Sequence, residues 1–276
     1  MRSFSRWSRE VTQMILLLKT ARDHWRSYCI WTFGLVAMVV LQLSVYPTVR
    51  SSAAGLATFL DNYPEALKQI FRMEDYTSGA GFLSTELFSM MLPLIFISIG
   101  ASWGANATAQ EEERRTADIL LTLPISRERI LSIKIITAVL AQVLLALVTV
   151  LTLAIGIRFV DLSLGLSKII AGALTGALLG ILFNAIAIFL GAAWGKRSIA
   201  LGGAIGLAIA GFLFFSLAPL VNTFERITPI NPFQWTLGSR PLFDGFDAGY
   251  TAVSLALSLV LYGASLVVFR RRDIQA

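Results

Sequence analysis

Six long apolar stretches, separated by short polar or proline-marked segments, set the pattern along this chain: roughly 28–46, 87–108, 131–157, 166–193, 199–219 and 247–269. At a rise of about 1.5 Å per residue, about 20 apolar residues in helical form cross ~30 Å of hydrocarbon. Backbone polar groups in lipid must be satisfied internally, and a helix does this within one segment. The pattern therefore predicts an all-α integral membrane protein, a single transmembrane domain over residues 1–276 with six spans. The fourth stretch exceeds the minimum and is expected to tilt or to extend past the membrane.

Residues 2–26 follow a different pattern. Trp7, Val11, Met14, Ile15, Leu18 and Trp25 recur at three- and four-residue steps, with Arg9, Lys19, Arg22 and Arg26 largely on other faces. This predicts an amphipathic helix in the membrane interface, its basic groups toward anionic headgroups. A soluble helix packed on a partner is the other reading of the same pattern. Residues 47–86 hold Phe59, Leu60, Tyr63, Leu67, Ile70 and Phe71 with five acids, Asp61, Glu65, Glu74, Asp75 and Glu86, and predict a short amphipathic helix on the outer surface. Residues 220–246 place Pro229, Pro232 and Pro241 around Asn231, Phe233 and Trp235, which suits an interfacial or re-entrant turn with Trp235 at headgroup level. Gly172, Gly176 and Gly180 in span four, and Gly202 and Gly206 in span five, each repeat on one helical face. Small residues let helix backbones approach in lipid, so these faces are expected to pack, with a substrate path as their other use. No internal repeat marks an inverted-repeat secondary transporter.

Composition and charge agree with this pattern. Hydrophobic residues make up 56% of the 276 and charged residues only 14%, with mean hydropathy +0.71, against about 25% charged in a soluble domain. The net charge of +6 does not indicate nucleic acid, because the basic residues gather at span ends. Sixteen of the 23 lysines and arginines fall in the N-terminal segment, the 2–3 loop, the 4–5 turn and the tail. The positive-inside rule then puts both termini on the cytoplasmic side of the cell membrane. The charged segment before Tyr28 is too long for a signal n-region, so no cleavable signal peptide is expected. Cys29 alone makes no disulfide framework and is read as a small buried hydrophobe. His24, the single histidine, is an interfacial residue rather than a metal ligand, and no metal site is expected.

The connection between spans two and three carries the most specific signal. It runs Gln110-Glu111-Glu112-Glu113-Arg114-Arg115-Thr116-Ala117-Asp118-Ile119-Leu120-Leu121-Thr122-Leu123-Pro124-Ile125-Ser126-Arg127. Thr116 suits an N-cap, and Asp118 suits the positive end of a helix dipole. Pro124 disfavours helical geometry at Leu123 and ends the helix there. Ser126, with Glu128 close behind, is placed to cap span three. A stubby helix over about 116–123 follows, with an apolar ridge of Ile119, Leu120, Leu121 and Leu123. Such a ridge needs a cover: either the amphipathic N-terminal helix or a soluble partner.

These residues, with Lys134 just inside the next span, resemble the membrane-spanning subunits of type-2 ABC exporters, and the likeness extends over nearly the whole chain. The resemblance implies that this stubby helix is a coupling helix seated in a groove of a separate ATP-binding subunit. Glu112, Glu113, Thr116, Leu120, Leu121, Pro124, Ser126 and Arg127 would then form that contact. Where relatives commonly carry Glu-x-Gly-Thr, this chain has Glu113-Arg114-Arg115-Thr116, so backbone geometry at the helix entry is not carried over. The partners implied are two ATP-binding subunits, a second copy of the chain or a related permease, and membrane lipid. The chain itself would be non-catalytic and hold no cofactor, with ATP and Mg on the partner. Its nearest approach to a phosphate loop, Gly191…Gly195-Lys196-Arg197-Ser198, has the first glycine one position late and Arg197 where Ser or Thr is needed.

Three other readings use the same spans. An ion-coupled secondary transporter keeps ionisable groups at membrane depth, whereas the span centres here lack Asp, Glu, Lys, Arg and His. A regulatory membrane partner of an ATPase would share the coupling helix without moving cargo. A membrane protease would need histidine or acidic ligands, or an activated nucleophile, that the spans do not supply. For a transporter, an uncharged path between two copies suits a hydrophobic or amphipathic cargo such as a drug, lipid or peptide. Ser89, Gln142 and Asn184 are candidate polar groups on that path, although polar side chains in spans also bond neighbouring helices.

Overall fold

The computed structural model of the protein describes residues 2–53, 55, 62, 64, 67, 68, 75–113 and 126–271. Every regular element among them is helical, and six helices are long and apolar enough to cross a membrane. The first, α1 (Arg2–Ser51), is a continuous helix of 50 residues. The separate interfacial helix ending near residue 26 is thus joined to the first span without a break. The reason lies in the local sequence, since no glycine or proline interrupts Lys19–Phe33. At helical rise α1 is about 75 Å long, more than twice a hydrocarbon core.

The second span begins earlier than its apolar run suggests. Ser78 starts α2 (Gly79–Leu83) by accepting the Gly81 N–H at 2.9 Å. The chain continues through a π-helical stretch (Ser84–Met91) into α3 (Leu92–Glu113). Within the π stretch the Ser89 hydroxyl donates to Ser84 O at 2.7 Å, occupying a carbonyl that the widened turn redirects. Then follow α4 (Arg127–Gly156), α5 (Leu166–Trp194), α6 (Arg197–Leu217), the short α7 (Asn222–Ile227) and α8 (Ala248–Arg271). Gly195, in the left-handed region at φ 68°, makes the tight turn from α5 to α6. Of the outer segment 47–86, the residues expected to form an amphipathic helix lie almost wholly outside the described residues.

Helix α5 is the axis of the bundle. Seventy-two per cent of its span is buried, against 22% for the spans of α1, α6 and α8. It packs on α3, α8, α4 and α6. Its composition explains this central place, because Ala171, Gly172, Ala173, Gly176, Ala177, Gly180, Ala185 and Ala187 are all buried and small. The tightest approach is to α3. A Cβ on Gly180 would lie 2.8 Å from Phe96 O, one on Gly104 2.6 Å from Asn184 O, and one on Gly100 would strike Gly180 O. Gly172 and Gly176 instead receive the rings of Phe88 and Phe96. Gly202 and Gly206 differ from the expectation. They are exposed, with open space where a Cβ would sit, and the neighbouring Gly203 is the one that meets Leu190 of α5.

The proline-marked segment after α6 folds back against the bundle. Asn231 Nδ2 donates to Gly211 O at 2.8 Å, while its Oδ1 accepts the Phe233 N–H at 3.0 Å. Gly211 precedes the end of α6 by six residues, so the turn returns about 9 Å along that helix. Phe233 is 1% exposed and lies among the rings of Phe183, Phe212 and Phe215. The turn is therefore folded back onto the bundle. Trp235 is packed inside it, and its indole N–H donates to Pro229 O at 2.7 Å.

Replacing Gly180 with Leu is expected to cost about 3 kcal/mol, the upper end of overpacking penalties, because the space is occupied by Phe96 O and by the Gln142 amide that is itself bonded to that carbonyl. Replacing Gly206 with Leu should leave the stability of the single chain unchanged. Thermal unfolding of the purified protein in detergent checks both. Equal midpoints for the two variants would show that the α3–α5 approach does not limit stability.

Candidate functional site

The end of the bundle that carries the α3–α4 connection is braced from several sides. Thr116, Leu120, Leu121 and Pro124 lie outside the described residues. Glu112 and Glu113 are the last two residues of α3, and Ser126 and Arg127 begin α4. Ser126 holds the N-cap position with extended backbone, and its carbonyl accepts the N–H groups of Arg129 and Ile130. Its hydroxyl makes no cap bond. The two helices flanking the connection are joined directly, since Lys134 Nζ on α4 donates to Ala107 O on α3 at 2.9 Å. This ammonium–carbonyl bond is charge-assisted, and the lysine stem lies along apolar helix surface.

Further links reach the other helices at the same end. Arg197 Nε at the start of α6 donates to Asn106 Oδ1 at 2.6 Å. His24 on α1 stacks on Trp103 with ring centroids 4.6 Å apart. Arg270 on α8 pairs with Glu128 on α4 at 3.4 Å. That pair is largely exposed and contributes little by itself. These contacts tie α4, α6 and α1 to α3, and α8 to α4. Lys134 was legible in the sequence, but Asn106 and Arg197, separated by 91 residues, were not.

The three polar candidates for a path are used differently. Gln142 and Asn184 are each 1% exposed and lie inside the helix packing of one chain, not on a surface facing a second copy. Gln142 Nε2 on α4 donates to Phe96 O at 3.0 Å, and Asn184 Nδ2 on α5 donates to Gly100 O at 2.8 Å. Both amides thereby bond α3 carbonyls beside the glycines that admit the close approach. Asn184 Oδ1 accepts the hydroxyl of Tyr262 on α8 at 2.9 Å. Tyr262 went unnoticed in the sequence because nothing local distinguishes a tyrosine that meets an amide from one that meets lipid. Ser89 is spent on its own π turn.

Near the opposite end, before the second span, the Tyr76 hydroxyl donates to Glu86 Oε1 at 2.7 Å. Burial first, and then this bond to the carboxylate, push the Tyr76 phenol well above its ordinary range. It therefore remains a neutral donor at any physiological pH. No group of three or more His, Cys, Asp or Glu residues that could hold a metal occurs among the described residues.

Six membrane-length helices, five of them around a central small-residue helix, define this molecule as an α-helical, multi-pass membrane protein. The chain belongs to the ABC-2 family of transporter proteins, whose family model matches residues 14–274. Membership makes it the transmembrane component of an ABC transporter and implies association with an ATP-binding subunit. No curated protein sequence matches the chain.

Removing the Tyr262 hydroxyl by Tyr262→Phe should lower stability by about 0.6–1 kcal/mol, the scale of interhelical hydrogen bonds in lipid. Asn184→Ala should cost about 2 kcal/mol or more, since it removes the amide that bonds Gly100 O, leaves the Tyr262 hydroxyl only its longer bond to Ile181 O, and opens a cavity. A double-mutant cycle on unfolding midpoints checks the pair. Strict additivity would mean that Asn184 and Tyr262 are not coupled.

Proposed function

We propose that the chain is the non-catalytic membrane subunit of an ATP-driven exporter in the cell membrane, with both termini in the cytoplasm. Two copies, or one copy with a related permease, form the cargo path between them. Two separate ATP-binding subunits hold ATP and Mg and supply the work. The observation that carries this reading is the family match over residues 14–274.

The contact with the ATP-binding subunit is assigned to the helix over about 116–123 and its flanks, namely Glu112, Glu113, Thr116, Leu120, Leu121, Pro124, Ser126 and Arg127. Its role is mechanical. Closure of the ATP-binding pair on nucleotide draws two such helices together, and the braced ends of α3 and α4 pass the movement to the spans. Free energy enters as the difference in affinity of the closed ATP-binding pair for the two states of the membrane part. The span centres contain no Asp, Glu, Lys, Arg or His, which supports a hydrophobic or amphipathic cargo and disfavours coupling to a proton or sodium gradient.

Leu120→Asp with Leu121→Asp is expected to leave membrane insertion intact, because both residues lie outside the spans. It should abolish co-purification of the ATP-binding subunit, since a partner groove then faces two buried, unpaired carboxylates. Pull-down and ATP hydrolysis in the co-expressed complex measure this. Recovery of an active complex with the double variant would rule out the coupling assignment.

A further inference from the structure

One edge of α1 faces the bundle along His24, Tyr28, Thr32, Leu35, Val39, Leu43 and Tyr46, at steps of three and four residues. The edge has two parts of different quality. Leu35 and Val39 are 0% exposed, Leu43 is 4% and Tyr46 is 6%, all within the main apolar core. The part nearer the N-terminus is polar and imperfectly matched. His24 stacks on Trp103, and the Tyr28 ring lies 6.1 Å from it. The Trp103 indole N–H is buried there with no hydrogen-bond partner among the described residues, and the buried Tyr28 and Thr32 hydroxyls have none beyond one another. Trp103 is itself only 7% exposed.

Buried donors without partners make an arrangement unstable relative to one that satisfies them. The two parts of the edge meet at Gly34, an exposed glycine with open space where a Cβ would sit. Glycine within a helix weakens it locally, so α1 has a soft point between its poorly matched stretch and its dry one, well before Pro47 near its other end. All three donors lie at the end of the spans that carries the α3–α4 connection, with Tyr28 where the first apolar run begins. At that depth the available acceptors are the ester and phosphate oxygens of phospholipid.

We propose that the stretch of α1 from His24 to Thr32 swings from α3 about Gly34 and opens a lipid site in which Trp103, Tyr28 and Thr32 donate to the ester or phosphate oxygens of a phospholipid. The site is independent of the transport reading, because it needs only the bundle in a membrane. In the closed state His24 covers Trp103. In the open state the lipid headgroup region takes the place of His24 and supplies the missing acceptors.

The test uses the full chain, purified and delipidated in dodecyl maltoside, with unfolding followed by intrinsic fluorescence. The variant Tyr28→Phe with Thr32→Val removes two donors and keeps their shapes. It is expected to unfold a few degrees higher than the wild type without lipid, since the buried polar groups are gone. Added palmitoyl-oleoyl phosphatidylglycerol should raise the wild-type midpoint, because a ligand that binds the folded state stabilises it. That increment should fall by half or more in the double variant, whereas inorganic phosphate should leave the wild type unmoved. Gly34→Ala keeps every donor and stiffens the helix, and should also shrink the lipid increment. A double variant no more stable than wild type without lipid, or stabilised by lipid to the same degree, overturns the site. Phosphate acting as well as lipid overturns the lipid assignment, and an undiminished increment in Gly34→Ala overturns the hinge.

Discussion

The structure depends on the backbone-to-backbone approach of α3 and α5. In lipid, helices gain nothing by hiding apolar side chains from one another, so close packing and interhelical hydrogen bonds must hold them together. Gly100, Gly104 and Gly180 remove the side chains that would keep these two backbones apart. The approach then brings α3 carbonyls within reach of amides on α4 and α5. Gln142 and Asn184 take that opportunity, and Tyr262 extends it to α8. Four helices are thereby fixed in one register by uncharged groups, which suits a medium where an unpaired charge is costly.

This arrangement also explains why the connection-bearing end can act as a unit. The helices that flank the connection are the same two that meet at the bundle axis or lean on it. Lys134 ties them near the membrane surface, and Arg197 adds α6 through Asn106. The opposite end is secured differently, by aromatic packing of the folded-back turn around Phe233. The loosely matched seam is that between α1 and Trp103, where polar groups are buried without partners.

What the structure bears out had local signals. Lys134 stands just inside its span, and Gly172, Gly176 and Gly180 repeat at four-residue steps. What stayed hidden was the use of residues whose partners are remote in the chain. Gln142 and Asn184 look like groups on a path until their acceptors, 46 and 84 residues away, are known. Gly202 and Gly206 show the same repeat as the packed glycines of α5, yet they face away from the chain's own interior.

The sequence alone determined the number of spans, the all-helical class and the place of the charges, because a bilayer imposes length and polarity on each segment separately. The tertiary structure decided that α5 is the axis, that α1 is one unbroken helix, that the proline-marked turn folds back onto the bundle, and which amide meets which carbonyl. Those outcomes depend on the relative rotation and depth of helices. A single helix carries no information about either until its neighbours' shapes and unsatisfied carbonyls are set beside it.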